Sequence, residues 1–154
     1  MSGGLASTFT DAEDSPGLLL WRVTNSWQAA QRSALKPLAL THVQFVLLAA
    51  VTWLTAPSRA DPAGVTQQQL SAYARTDPMM TSQVVRALET LGLVTRDAHP
   101  TDGRARVLAT TEAGRALADQ AVAVVEACDQ EFFGPLEGDQ QRFTGLLQQL
   151  AAER

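Results

Sequence analysis

A mainly α-helical fold carrying one small β-hairpin is predicted, and three observations predict it. Six helix-start signals, at Ser15, Thr41, Thr66, Asp77, Thr111 and Asp139, each precede apolar residues at helical spacing. Two short alternating runs at 93–98 and 104–109 flank a Pro- and Asp-Gly-containing turn. The 154 residues are 45% hydrophobic and only 18% charged, enough for one domain with its own core.

Residues 1–14 are small, polar and acidic without an apolar period, and read as a flexible tail ahead of a single domain over 15–154. Ser15 followed by Pro16 opens the first helix, in which Leu19, Val23 and Trp27 share a face and which ends before Pro37. Thr41 and Gln44 make a capping box ahead of the apolar stretch 45–54, a buried second helix. After a loop over 57–64, a second box, Thr66 with Gln69, opens a helix of barely two turns through about Ala74, with Leu70 and either Tyr73 or Ala74 inward. Asp77 and Pro78 start the next, which runs to Leu91. In it Met80, Val84, Leu88 and Leu91 are expected inward, and Met79, Ser82, Gln83, Arg86 and Thr90 outward, with Gly92 as the stop. Beyond the hairpin, Thr111 caps a long helix to about Phe133 that carries Leu117, Ala121, Cys128 and Phe132 on one stripe. Gly134-Pro135 breaks it, and a last helix from Asp139 is expected to turn Phe143, Leu146, Leu147 and Leu150 inward.

No apolar run is long enough to cross a hydrocarbon layer, and the first residues lack the pattern of a secretory signal, so a cytoplasmic protein without a membrane role is expected. Cys128 is the sole cysteine and lies far in sequence from His42 and His99, so neither a disulfide nor a metal site is expected, and no cofactor. In an apolar stripe Cys128 reads as a core-filling residue rather than a redox switch. Net charge is −4, which argues against a protein that coats itself in nucleic acid. Yet residues 59–115 hold seven basic and six acidic residues, so the little positive charge there is lies in the centre.

Two short helices across a tight turn, the second with a polar outer face and a hairpin after it, form the pattern of a helix-turn-helix with a wing. A major groove admits one helix, and Ser82, Gln83 and Arg86 offer the hydrogen-bonding groups that read bases there. The helix start at Thr66, Gln67 and Gln68 presents backbone N–H groups to a phosphate. At the hairpin tip Arg104 and Arg106, two residues apart, are expected on one side of a strand, from which one arginine can enter a narrow minor groove. Asp102 is expected to fix the turn or to orient Arg104 through a salt bridge. Arg96 on the first strand reads as an ion-pair partner at least as readily as a phosphate contact.

Val84-Val85-Arg86-Ala87-Leu88-Glu89 with Gly92-Leu93-Val94-Thr95-Arg96, then Pro100-Thr101-Asp102-Gly103-Arg104, then Thr111-Glu112-Ala113-Gly114, resemble the MarR family of winged-helix regulators. The motifs occupy about 66–114, and the helix order from 15 to about 152 resembles the whole family architecture. The resemblance implies a winged lobe over about 41–112 and dimerisation helices over about 15–36 and 112–152. It implies a homodimer on a pseudo-palindromic duplex DNA site, with Arg104 in the minor groove, most often as a repressor. It also implies release by a small phenolic or anionic effector in a cleft between the dimer helices and the DNA-binding lobe. Thr110, His99 and Gln83 depart from the residues usual in the family at those positions. Trp21, Trp27 and Trp53 are the candidates for lining an effector cleft, although aromatic residues at helical spacing more often serve the core.

Two functions compete: a ligand-responsive DNA-binding regulator, and a winged-helix protein-interaction module that does not bind DNA. An enzyme is not expected, since no nucleophile, base and oxyanion donor fall into a recognisable arrangement.

Overall fold

Side-chain caps set where the helices begin. Ser15, Thr41, Thr66 and Thr111 each accept, through the side-chain oxygen, the backbone N–H three residues on, and Asp77 does the same for Met80 N. At Thr41 and Thr66 the reciprocal bond is present as well, closing both predicted capping boxes. The computed structural model describes residues 4–59 and 61–152. Its order is α1 (Pro16–Leu35), α2 (His42–Leu54), β1 (Val65–Thr66), α3 (Gln67–Ala74), α4 (Pro78–Thr90), β2 (Val94–Ala98), β3 (Arg106–Thr110), α5 (Glu112–Phe132) and α6 (Gln140–Ala152).

The apolar α2 is the hub, packed against α1, α3, α4, α5 and β3. Leu47, Leu48 and Val51 from α2, Leu35 from α1, Leu70 from α3, and Val85 and Leu88 from α4 are wholly buried and fill the core. Three antiparallel strands lie in the order β1-β3-β2. The predicted hairpin is β2–β3, with Ala98 opposite Arg106 closing the ladder. β1 has no signal in the sequence, because two residues are too few to alternate; Val65 opposite Leu108 places it on the far edge of β3. Gly92, at φ +73°, ends α4: its N–H bonds Glu89 O and the Leu93 N–H bonds Leu88 O, a pairing that turns the chain into β2.

Four expectations meet a different or a sharper outcome in the structure. Ala12–Asp14, in the segment read as a tail, close one 3-10 turn capped by Asp11, and Glu13 pairs with Arg22. The buried face of α4 is Thr81, Val85 and Leu88, with Val84 half-buried against the core; of the four residues expected inward, Leu88 and Val84 pack there and Met80 and Leu91 are exposed. Burial of a threonine is possible because the Thr81 hydroxyl bonds Asp77 O at 2.8 Å and Thr76 Oγ1 at 2.6 Å. Of the pair offered on α3, Ala74 packs on the core and Tyr73 is exposed. Finally, Leu146, Leu147 and Leu150 of α6 are exposed, since among the described residues no element lies over that face. The apolar first half of α1, with Leu19, Leu20 and Val23, is uncovered in the same way.

Among the described residues no single helix is long and apolar enough to cross a membrane; α1 with its 3-10 extension and α2 pass only as a pair across a 76° bend.

Candidate nucleic-acid interface

Three segments far apart in sequence meet on one open groove of about 500 Å³. The start of α3 brings Thr66, Gln67 and Gln68, the outer face of α4 brings Ser82 and Arg86, and the wing brings Asp102, Arg104 and Arg106. Eight of the nine predicted contact residues therefore share one concave surface. The ninth, Gln83, is exposed on α4 beside Ser82 but does not line the groove.

The wing differs locally from the expectation. Arg104 lies in the turn before β3, so the same-side argument for Arg104 and Arg106 does not hold; the bend of the loop, not strand alternation, brings both to the groove. Asp102 fixes that turn: its Oδ1 accepts the Arg104 backbone N–H at 3.0 Å, and its backbone carbonyl accepts the Ala105 N–H at 3.2 Å. The ion pairs among the described residues are Arg22–Glu13 and Arg96–Glu89, so Asp102 does not hold the Arg104 guanidinium.

Three groove residues were not among the nine, the small Ala105 and two with polar side chains. Arg96 lines it while its Nε donates to Glu89 Oε2 at 2.5 Å, so the ion-pair reading is right and the residue still faces the groove. His99 lines it too, and its Nδ1 accepts backbone N–H groups of the turn. Its position directly before a Pro-containing turn was the available signal. Four arginines, 86, 96, 104 and 106, thus converge, and three of them carry no carboxylate partner among the described residues. A concave surface of that charge suits a polyanion.

The three tryptophans do not come together. Trp27 donates Nε1–H to Asp129 Oδ1 at 2.8 Å and meets His42 edge-on at 5.0 Å. Gln31, wholly buried, donates to the same oxygen at 2.7 Å, and its own Oε1 has no donor among the described residues. Burial, and secondarily the Arg32 charge, push the His42 pKa down, with Asp129 opposing. Trp53 is half-exposed under the Arg59 guanidinium at 4.1 Å, beside an α2–α5 groove of about 320 Å³ that Arg115, Asp119 and Val122 also line. Trp21 is 69% exposed on α1. Cys128 lines a separate α1–α5 groove with Ala30, Ala34, Val124 and Phe132, and burial, then Asp129 and Glu131, raise its pKa. No three His, Cys, Asp or Glu side chains converge on a metal-sized site among the described residues.

The model of the MarR family matches residues 60–105, the stretch that supplies most of the groove. The HTH-type transcriptional regulator YdcH of Bacillus subtilis is 39% identical over 147 residues, spanning 96% of this chain and 97% of its own. The chain belongs to the MarR family of transcriptional regulators. Among solved structures, this MarR-family chain is similar to the MarR family protein Rv2887 of Mycobacterium tuberculosis in complex with salicylic acid. The two share 35% identity and a TM-score of 0.68, over 91% of this chain and 99% of that one. It is similar as well to CouR of Rhodococcus jostii RHA1 bound to p-coumaroyl-CoA, at 29% identity and a TM-score of 0.77, over 93% of each. Its mainly helical fold with a small antiparallel sheet is the winged helix of those structures, and the wing is the β2–β3 hairpin.

Proposed function

We propose that this MarR-family regulator binds duplex DNA sequence-specifically as a homodimer, acts as a repressor, and is released by a small phenolic or anionic effector. The observation that carries the DNA reading is the groove, in which the start of α3, the outer face of α4 and the arginine-bearing wing face one space. In that reading α4 lies in a major groove with Ser82, Gln83 and Arg86 toward base edges, Thr66, Gln67 and Gln68 meet a phosphate, and Arg104 and Arg106 follow the adjacent minor groove while Asp102 holds their turn. The protein is then a cytoplasmic regulator and not an enzyme.

The lobe over about 41–112 binds DNA, and about 15–36 with 112–152 hold the dimer. Support for the dimer is the apolar surface left open on α1 and α6, which a second copy would cover. Effector binding is supported by the salicylic acid and p-coumaroyl-CoA complexes of the two similar proteins. Of the three tryptophans, Trp53 has the surroundings for it, an aromatic face and the Arg115 cation on one groove.

The test is a gel-shift titration against the DNA upstream of the protein's own coding region. Sequence-selective binding that weakens steeply with added salt is expected. No shift at low salt would reject it in favour of a protein-interaction module.

A further inference from the structure

We infer that His99 is a phosphate-binding residue of the wing, donating from Nε2–H to the DNA backbone. The inference rests on the DNA reading above and adds a contact of a different chemical kind from the arginines.

The geometry of the loop selects the tautomer. His99 Nδ1 accepts the Asp102 N–H at 2.9 Å and the Thr101 N–H at 3.2 Å. Two backbone donors aimed at one ring nitrogen require a lone pair there, and a neutral imidazole carries one proton, so that proton sits on Nε2. The ring is thereby held as a donor pointing away from its own loop. Among the described residues no acceptor bonds Nε2. His99 lines the groove together with Arg86, Arg96, Arg104 and Arg106, so the surroundings of the ring are cationic. The nearby carboxylate, Asp102, directs Oδ1 to the Arg104 backbone N–H. None of these groups accepts from Nε2 among the described residues, and a backbone phosphate of a duplex seated in the groove is an anionic acceptor that can.

Because the donor is neutral, the contact releases no counterion. It is expected to add affinity uniformly across sequences without steepening the salt dependence, whereas each arginine contributes to the salt slope.

Two variants separate this role from simple support of the turn. In H99N the amide Oδ1 stands where Nδ1 stood and keeps accepting the two N–H groups, but nothing replaces Nε2; H99A removes both. Binding is read by fluorescence anisotropy on the upstream duplex and on a scrambled duplex, across a salt series. H99N and H99A are both expected to lose roughly tenfold in affinity on both duplexes, with an unchanged salt slope. If H99N binds like the unsubstituted protein, whatever H99A does, His99 only braces the turn and the inference falls. A measurement without substitution stands beside these: in the unsubstituted protein, the His99 Nε2 resonance is expected to shift on saturation with duplex, and an unchanged ring signal overturns the contact. Failure of the unsubstituted protein to bind any duplex would remove the DNA reading and this inference together; binding with a silent His99 removes the inference alone.

Discussion

A Cβ on Gly114 would stand 1.9 Å from the carbonyl oxygen of Leu93, a contact that neither backbone can relieve without moving. Gly114 therefore lets the start of α5 dock on the start of β2, where the Thr111 N–H and Leu93 O are bonded at 3.1 Å. Gly114→Ala is expected to destabilise the fold by about 3 kcal/mol, the upper range for overpacking, read as a lower urea midpoint with unchanged m-value. At His42 the fold disfavours the charged ring, through burial first and Arg32 second. Its folded pKa lies below the ordinary 6.5, so between the two values the unfolded chain holds more protons. That contribution to stability is fully present above pH 6.5 and is lost as pH falls through the folded value. Urea midpoints at pH 7.5 and 5.5 are expected to converge more in His42→Gln than in the unsubstituted protein; an equal gap in both would contradict it.

At the scale of elements, the proposed DNA complex assigns different parts of recognition to α4 and the wing. Arg104 sits in a turn whose backbone Asp102 holds, and its charge has no carboxylate partner among the described residues, which in the proposed complex suits it to groove potential rather than a base edge. Arg104→Ala is expected to weaken binding to every duplex and to reduce the salt slope by about 1. Gln83 and Arg86 lie on the exposed face of a helix whose opposite face is locked by Thr81, Val85 and Leu88. Gln83→Ala and Arg86→Ala are expected to cost about 1–3 kcal/mol on the preferred site and less on a scrambled one, narrowing discrimination. Competition gel shifts with the two duplexes separate these signatures, and a uniform loss in all three variants would contradict the assignment of base reading to α4.

For the whole molecule, the exposed leucines of α1 and α6 are apolar surface that a monomer would leave in water. Light scattering after size exclusion is expected to give twice the 16.5 kDa chain mass at micromolar concentration. Leu20→Glu together with Leu147→Glu is expected to shift that mass toward the monomer and to abolish tight binding, since each half-site then binds alone. A dimer whose two α4 helices meet one face of the duplex places half-site centres about 10 bp apart or a multiple of it, which footprinting reads directly.

What the sequence determined was local. A threonine three residues before a glutamine, an Asp-Pro step and a glycine after an apolar helix each act on backbone groups within a few residues, so the start and stop of nearly every helix were legible from side chains alone. Most residues that line the groove were legible for a related reason: polar groups on the face of a short amphipathic helix and arginines beside a turn announce themselves by spacing. Whatever depended on distant partners was not legible. Thr81 is buried in place of Met80 only because Thr76 and Asp77 satisfy its hydroxyl, and β1 is a strand only because β3 lies beside it. The tertiary structure alone separated the three tryptophans and closed the groove from three segments, adding Arg96 and His99 to it. Packing, which sums interactions across the whole chain, decides which groups share a space.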